Sequence, residues 1–365
     1  MDRRRFLATA AAPAVMALGL PGRARAQHKP FNPTPGTWRS FEVTTRVEVA
    51  RAAGGTRVWI PVPSVDAAYQ QTLDNQWTGN ARVTRLAADR KYGADMLYAE
   101  FADDEKTPVV ELVSRFRTQD RATDWNRRGA AQEDPATLKF WTGATELMPT
   151  DGIVKSTAAE ITRGKRTDVE KTQAIYNWIV ENTYREPTVR GCGVGDIKAM
   201  LETGNFGGKC GDINALFVGL NRAAGVPARD VYGIRVAPSA FGYRELGAGP
   251  AITRAQHCRA EVFLRGYGWV AMDPADVGKV MRLETPEWLK DVRHPVVAPV
   301  HTKLFGGWEG NWLAYNVAHD VALPGSNGPR LGFLMYPQAE TGGARLDSLD
   351  PDSFKYAITA RELKA

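Results

Sequence analysis

The hydrophobic period of the chain changes near Ala122, and this change restricts the possible fold more than any other feature of the sequence. Upstream, apolar and polar residues alternate along Trp38–Val49, and further strand patterns occur at Thr56–Val62, Asp95–Phe101 and Val109–Phe116. Alternation with a period of two is typical of strands with one buried face. We therefore predict an antiparallel sheet or a small sandwich in this part of the chain.

Downstream of Ala122 the pattern is helical. Segments 136–147 and 153–163 have helical composition, and Asp168–Tyr184 repeats apolar residues at helical spacing, with Asp168 placed to cap the helix. The predicted apolar face of this third helix consists of Thr172, Ile175, Tyr176, Ile179 and Val180.

A fourth helix is predicted to begin at Cys210. Its apolar residues follow the i, i+3, i+4, i+7 spacing and are Ile213, Leu216, Phe217, Leu220 and Ala224. Gly225 is placed to adopt the left-handed conformation that ends a helix, and Pro227 follows it. Both ends of this helix are therefore marked in the sequence.

Strand patterns return after the fourth helix, at Asp230–Val236, His257–Leu264 and Trp269–Asp273. Aromatic-rich stretches at Trp308–Tyr315 and Leu331–Tyr336 are predicted to form closing strands. Helices followed by strands in this order indicate an α+β fold.

The first 26 residues resemble an export signal. Asp2-Arg3-Arg4-Arg5-Phe6-Leu7 is similar to a twin-arginine signal, an alanine-rich apolar stretch runs from Leu7 to Leu20, and Ala24-Arg25-Ala26 offers a cleavage site. An amphipathic or membrane-spanning N-terminus is the alternative, but the apolar stretch is shorter than the ~20 residues that a spanning helix needs. We expect a mature protein that has no membrane span and is periplasmic or secreted.

The charge of the chain gives no reason to expect a nucleic-acid partner. The formal net charge is +6, but five arginines and one aspartate among the first 26 residues account for +4 of it, which leaves +2 for the remainder. No basic stripe with interleaved aromatic residues is left after this subtraction.

The chain contains three cysteines, Cys192, Cys210 and Cys258. In an oxidising compartment an odd number leaves at least one thiol free. The simplest assignment keeps Cys210 free and makes Cys192 and Cys258 either buried thiols or a disulfide. The alternative is that all three are inert buried cysteines.

Cys210 lies where a helix lowers the pKa of a thiol, because unpaired backbone N–H groups and the positive end of the helix dipole favour the thiolate. A nucleophilic thiol also needs a base and a group that orients the base. Among the five histidines, only His257 lies in a strand that can reach this helix, and Asp273 lies on the next strand. We hypothesise that these three residues form a catalytic triad.

The triad hypothesis requires a particular register of the hairpin. His257 and Asp273 face each other directly only if the hairpin is centred on Arg265, with an odd number of loop residues. An even loop would place Asp273 opposite Ala260, on the other face. Gly266 and a second glycine two residues later make an odd loop or a bulge feasible.

Metal and phosphate sites are not expected. Residues 191–195, Gly-Cys-Gly-Val-Gly, lack the spacing of a phosphate-binding loop, and we interpret them as a loop that borders the cleft. The sequence has no C-x-x-C, no H-E-x-x-H and no histidine pair at helical spacing, and Cys258 is predicted to point away from His257 across the strand. We therefore expect no metal and no cofactor.

Three stretches around the candidate residues carry a family signal. They are Gly208-Lys209-Cys210-Gly211-Asp212, Leu220–Arg229, and His257 together with Gly268–Pro274. These stretches resemble the transglutaminase-like superfamily, which is related in fold to papain-like thiol proteases. The separations of 47 and 16 residues suit its Cys, His, Asp order, and the resemblance covers about 165–280.

The resemblance implies roles for the three residues. Cys210 would be the nucleophile, His257 the base and acid, and Asp273 the orienting carboxylate. Many members have an aromatic residue after the cysteine and Ala-Trp after the histidine, whereas Gly211 and Cys258-Arg259 occupy those places here. These departures concern substrate recognition more than the chemistry.

The resemblance also implies an α+β fold in which a papain-like transglutaminase core, with helices packed on an antiparallel sheet, follows an all-β domain. The expected organisation is a twin-arginine signal peptide at 1–26, an N-terminal β domain at 27–121, a catalytic core at 122–280, and a C-terminal extension at 281–365 that completes the core.

The expected function is that of a thiol enzyme that acts on peptide or carboxamide bonds of a peptide or protein substrate, through an acyl-thioester at Cys210. A protease or amidase is favoured because water is always present as the acceptor. Transfer to a lysine would make the chain a cross-linking transglutaminase. A non-catalytic binding or assembly module on the same fold is the third alternative.

Overall fold

The computed structural model describes residues 29–129, 132–350 and 354–364. The predicted signal peptide at 1–26 lies outside these residues. Across the described ranges, none of the helices combines the length and the hydropathy that a membrane span requires.

The secondary structure agrees with the predicted change of period. The strands are β1 (Arg39–Glu48), β2 (Arg57–Pro61), β3 (Gln70–Gly79), β4 (Val83–Ala88), β5 (Asp95–Glu100), β6 (Val109–Thr118), β7 (Arg121–Ala122), β8 (Tyr184–Arg185), β9 (Gly207–Gly208), β10 (Ala228–Arg235), β11 (Gln256–Leu264), β12 (Gly268–Met272), β13 (Gly307–Trp308), β14 (Trp312–Asn316), β15 (His319–Val321), β16 (Leu331–Phe333), β17 (Gln338–Thr341), β18 (Ala344–Arg345) and β19 (Lys355–Leu363). The helices are α1 (Pro135–Phe140), α2 (Gly152–Ile161), α3 (Asp168–Asn182), α4 (Ile197–Thr203), α5 (Cys210–Ala223), α6 (Pro274–Leu283) and α7 (Ala298–Lys303).

Two antiparallel sheets form the N-terminal region, with the strand orders β19-β1-β6-β3 and β18-β17-β2-β5-β4. Alternation in β1 buries Phe41, Val43 and Val47 on one face, as the sequence predicts. Strands from the C-terminal segment complete both sheets, because β19 pairs with β1 and β17 pairs with β2.

The second half of the chain packs helices on a four-stranded antiparallel sheet of order β12-β11-β10-β14. Helix α5 contacts β10 and β11 on one side and α2 and α3 on the other. Every residue from Cys210 to Arg222 is consequently buried, including those outside the predicted apolar face. This arrangement confirms the α+β fold with helices on an antiparallel sheet.

Helix α3 begins one residue away from its predicted cap. Thr167, and not Asp168, is the N-cap, because the Thr167 hydroxyl accepts the Glu170 N–H at 3.2 Å while the Glu170 carboxylate accepts the Thr167 N–H at 2.9 Å. This reciprocal capping box satisfies two helix-end donors, which a cap at Asp168 would not do. The predicted apolar face of α3 is buried at all five positions.

Candidate active site

The candidate nucleophile, Cys210, is the first residue of α5. Asp212, two residues later, accepts the N–H of Lys209 at 2.9 Å and the N–H groups of Val194 and Gly195 at 2.8 and 2.9 Å. One carboxylate therefore caps the helix and holds the loop at 191–195 against its start.

That loop places a second cysteine beside the helix terminus. The carbonyl of Cys192 accepts the N–H of Gly211 at 2.8 Å. The backbone of Gly193 has φ +90°, and a Cβ there would lie 1.8 Å from Asp212 Oδ2. Only glycine fits this close approach, so the local sequence determines where Cys192 lies.

His257 projects from β11, and Asp273 caps the helix that follows the hairpin. His257 Nε2 lies 2.7 Å from Asp273 Oδ2, and both side chains are buried. The sequence predicted that Asp273 ends the strand β12, and this prediction is wrong. Asp273 is instead the N-cap of α6, and its Oδ1 accepts the Asp276 N–H at 3.1 Å. Pro274 at the first helical position stops the strand because it has no N–H to donate to a sheet.

The hairpin has an odd loop, as the triad hypothesis requires, but a different centre. Leu264 pairs with Gly268 and Ala260 pairs with Met272, so the centre is Gly266 and not Arg265. Asp273 thus lies one residue beyond the last pair and approaches His257 diagonally. Gly266 at the centre of the three-residue loop and Gly268 at the start of β12 both have positive φ, which this tight connection uses.

A second carboxylate, Asp276, was missed by the sequence analysis. Its Oδ2 lies 3.3 Å from His257 Nε2, and its Oδ1 accepts a hydrogen bond from Arg235 Nη2 at 2.5 Å. Arg235 and Asp276 are both buried. The available signal was the Asp-Pro-Ala-Asp run at 273–276, in which the fourth residue lies in the first turn of a capped helix.

Asn214 was missed as well. It lies one turn after Cys210, and its Nδ2 donates to Cys258 O at 2.9 Å and to Asp273 Oδ1 at 3.3 Å, while its Oδ1 accepts the Ala275 N–H at 3.3 Å. This buried amide joins α5, β11 and the start of α6. A polar residue four positions after the cysteine in a predicted buried helix was the signal that could have identified it.

The electrostatics of the site favour a thiolate and an imidazolium. Hydrogen bonds from Cys192 and Cys258, followed by the hydrogen bond and charge of His257, lower the pKa of Cys210 well below its ordinary value. Burial and the Arg235 charge act to lower the pKa of His257, but the carboxylates of Asp276 and Asp273 outweigh them and raise it to about 9. The two groups therefore support opposite charges near neutral pH.

The other two cysteines have the opposite character. Cys192, Cys210 and Cys258 are all free and buried, so no disulfide joins Cys192 to Cys258. The hydrogen bond with Cys210 raises the pKa of the Cys192 thiol, and burial raises that of Cys258. Only Cys210 is thus favoured as a thiolate.

The pKa values of the two carboxylates are shifted in opposite directions. Burial and the neighbouring Asp276 charge raise the pKa of Asp273. For Asp276 burial acts in the same direction, but the charges of Arg235 and His257 outweigh it and hold its pKa well below the ordinary value. Asp276 is therefore the firmly charged carboxylate behind the histidine.

His257, Asp273 and Asp276 are close enough to hold a metal ion, since their ligand atoms lie within 4.8 Å of one another. Arg235 already binds Asp276, and Arg259 Nε lies 3.7 Å from Asp273 Oδ2. An added cation would meet two guanidinium groups, so this donor set does not favour a metal. The absence of a metal stays a prediction.

Two cavities lie beside the start of α5. One, of about 270 Å³, is lined by Cys210 and His257, and the other, of about 460 Å³, is lined by Cys192. Both are lined by Arg185, Arg254 and Gln256. The thiol is nearly buried, and the smaller cavity provides the space in which a substrate could approach it.

Comparison with known proteins bears on the family and the fold of the chain. Residues 155–274 match the sequence model of the Transglutaminase-like superfamily. A protein of Haemophilus influenzae that bears the name "Uncharacterized protein" is 36% identical over 328 residues, which cover 85% of this chain and 87% of that protein.

A solved structure from Cytophaga hutchinsonii, described as a "Putative Cysteine Protease", has a TM-score of 0.56 at 12% identity and covers 90% of this chain and 92% of that chain. The periplasmic domain of TgpA from Pseudomonas aeruginosa has a TM-score of 0.35 at 15% identity and covers 68% of this chain and 91% of that chain. Residues 155–274 therefore form a transglutaminase-like domain, and the chain as a whole belongs to one family with the Haemophilus influenzae protein.

Proposed function

We propose that the chain is a thiol hydrolase that cleaves peptide or carboxamide bonds through an acyl-thioester at Cys210. One observation carries the proposal. The only cysteine with a lowered pKa begins a buried helix beside His257, whose Nε2 is held 2.7 Å from Asp273. Because Nε2 faces Asp273, Nδ1 is the ring nitrogen left for the thiol and the substrate.

The reaction follows from these positions. The Cys210 thiolate attacks the carbonyl carbon, and the S–C bond forms while the developing oxyanion is stabilised by the N–H of Cys210 at the first turn of α5. His257 donates its proton to the nitrogen as the C–N bond breaks, and the amine leaves. Water then attacks the thioester, gives a proton to His257, and the S–C bond breaks to release the acid and restore the ion pair.

The pH dependence of alkylation tests the proposal. Cys210 should react with iodoacetamide well below the free-thiol pKa of ~8.5, while the other two cysteines, whose pKa values are raised, should not. His257→Ala should remove this advantage, and Cys210→Ala should abolish the labelling. An ordinary thiol profile in the folded wild-type protein would refute the enzyme hypothesis and favour a binding module.

The acceptor is tested separately. A peptide library incubated with a labelled amine, with Cys210→Ala as the control, distinguishes cleaved peptides from peptides that carry the label. We expect cleavage. Labelled products without cleavage would instead identify a cross-linking transglutaminase.

We also propose that the protein is exported to the periplasm or beyond by the signal at 1–26. The support is the Arg3-Arg4-Arg5-Phe6-Leu7 run and the cleavage site at Ala24-Arg25-Ala26. A variant with Arg3→Lys and Arg4→Lys should stay uncleaved in the cytoplasm, as measured by fractionation and mass. Processing of that variant at the wild-type level would contradict twin-arginine export.

A further inference from the structure

Among the described residues that line the two cavities beside Cys210, several are basic and none is an aspartate or a glutamate. The basic residues that line them are Arg185, Arg190, Lys209, Arg235, Arg254, Lys279 and Lys355. The chain as a whole contains 47 Lys and Arg and 41 Asp and Glu, so its composition does not explain why these cavities are lined by positive charges alone. Such a cavity concentrates anions.

Four of these basic side chains are neutralised by acids of the protein. The pairs are Arg190–Asp347 at 2.6 Å, Arg235–Asp276 at 2.5 Å, Lys279–Glu245 at 3.4 Å and Lys355–Glu48 at 3.4 Å. Their positive charges are therefore already balanced within the fold.

The other three, Arg185, Lys209 and Arg254, form what we call the basic cleft. Within the described residues, their side chains have neither a hydrogen bond nor an ion pair, and Arg185 Nε is buried without a partner. Burial and then the Arg185 charge lower the pKa of Lys209 and outweigh Cys192, Cys210 and Asp212, which act to raise it. The cations of Arg185 and Lys209 therefore lie close enough to repel each other.

Local structure places the basic cleft at the thiol. Arg185 lies on β8, where it pairs with Gly208 of β9, two residues before Cys210. Lys209 is the N-cap of α5. Arg254 precedes β11 by two residues and lines both cavities. The three cations thus come from three elements that converge on the cysteine.

A fourth donor in the same place also lacks an acceptor. Gln256 is 9% exposed, lines both cavities, and its Nε2 has no hydrogen-bond partner. A buried amide N–H without a partner costs free energy, and clustered like charges cost more. Both costs would be offset by an anionic ligand that accepts hydrogen bonds.

We propose that the basic cleft binds a carboxylate of the substrate, so that the enzyme acts on peptides with a carboxylate close to the bond that Cys210 attacks. Two arginines suit this ligand because a guanidinium can bind a carboxylate through two parallel hydrogen bonds. The carboxylate comes either from an acidic side chain or from the C-terminus of the peptide. This proposal rests on the proposed function and specifies its substrate class.

A pair of alkylating reagents tests the basic cleft without needing turnover. Iodoacetate carries a carboxylate where iodoacetamide carries an amide, and both alkylate the same thiolate. Relative to free cysteine, the wild-type protein should react with iodoacetate faster than with iodoacetamide by roughly tenfold, the size of one charge-assisted hydrogen bond. Added salt should reduce this preference.

Matched variants locate the effect. Arg185→Gln and Arg254→Gln should each lower the preference for iodoacetate several-fold. Arg190→Gln is the control, because Arg190 lines the larger cavity but is already paired with Asp347. Thermal unfolding should show that the first two variants are as stable as the wild type or more stable, since each loses a repelling charge.

Four peptides then identify the source of the carboxylate. They combine Glu or Gln beside the scissile bond with a free or amidated C-terminus, and kcat/KM should rise at least tenfold for one of the two carboxylates. Fast low-pH alkylation with equal reagent preference in all variants would overturn the basic cleft and leave the thiol hydrolase intact. Ordinary alkylation of the wild type would instead refute the proposed function itself.

Discussion

His257 sits between a thiol and two carboxylates, and the balance among them determines its charge. The carboxylates of Asp276 and Asp273 raise its pKa to about 9 against burial and Arg235. The Cys210 pKa is lowered. The thiolate and imidazolium therefore coexist over a wide pH range, which ends on the basic side when His257 loses its proton.

We predict that kcat/KM falls above pH 9, where His257 loses its proton. Asp276→Asn should move this basic limb of the pH profile to lower pH, because the charge of Asp276 is the largest of the causes that raise the His257 pKa. The same variant should unfold more easily by about 3 kcal/mol, since Arg235 is left buried without its partner. Asp291→Asn, at a carboxylate paired with exposed Arg293, is the control and should change neither quantity. An unmoved basic limb in Asp276→Asn would contradict the assignment.

The raised pKa of His257 also predicts how stability depends on pH. The His257 pKa is about 9 in the folded protein and ~6.5 in the unfolded chain. Protonated His257 therefore contributes fully to the free energy of unfolding below pH 6.5, and this contribution is lost as the pH rises through 9. It amounts to roughly 3 kcal/mol at most. Urea unfolding of wild type and His257→Gln should differ most at pH 6 and least at pH 10. A difference in stability that grows with pH would contradict the raised pKa of His257.

The sequence identified the residues that have a strong local signal and missed those that act through the fold. Cys210 was found because it begins a helix with marked ends, and His257 because it is the one histidine in a suitable strand. Asp276 had a local signal in the run at 273–276, but its pairing with Arg235 of β10 arises only in the folded chain. Asn214 was hidden because its helix was predicted to be buried on one face only.

At the scale of elements, the loop at 191–195 and the start of α5 behave as one unit. The Asp212 carboxylate accepts N–H groups from both, and the Cys192 carbonyl accepts the Gly211 N–H. The hydrogen bond from the Cys192 thiol is in turn the largest cause of the lowered Cys210 pKa. Loop geometry therefore contributes to the reactivity of the thiol.

We predict that Gly193→Ala damages this unit by displacing the loop. The new Cβ would meet Asp212 Oδ2 at 1.8 Å, in a backbone with φ +90°. Gly204→Ala is the matched control, because Gly204 has φ +67° and a Cβ there meets nothing within 4 Å. The control should cost about 1 kcal/mol in urea unfolding, and Gly193→Ala should cost more and also raise the pKa of Cys210 alkylation. Equal effects of the two variants would show that only backbone strain matters.

Helices and strands could be predicted from the sequence where only one of their faces is buried, and less well elsewhere. Strand β1 alternates because only one of its faces is buried, and α3 shows an apolar stripe for the same reason. Strand β3 is mostly polar and mostly half-buried, and β4 is largely exposed, so neither sequence shows a regular alternation. Helix α6 was absent from the prediction because its N-cap, Asp273, was interpreted as the end of a strand.

At the scale of the whole molecule, the end of the chain returns to its beginning. Strand β19 pairs with β1 over nine residue pairs, from Ser40–Leu363 to Glu48–Lys355. Residues of the same segment, Phe354, Lys355 and Tyr356, line the larger cavity beside Cys192. The last strand therefore joins the N-terminal sheet to the wall of the candidate site.

We predict that a chain ending at Asp350 loses stability and site geometry together. Its β1 strand would have an unpaired edge, and the buried side chains of Phe354 and Ile358 would be missing from the core, which costs at least about 3 kcal/mol for the phenylalanine alone. The alkylation preference of Cys210 for iodoacetate should also fall, because one wall of the larger cavity is removed. A chain ending at Leu363 keeps all nine pairs and is the control. If both truncations unfold at the same urea concentration, then β19 adds nothing to the stability of the sheet, and its contribution is confined to the cavity wall.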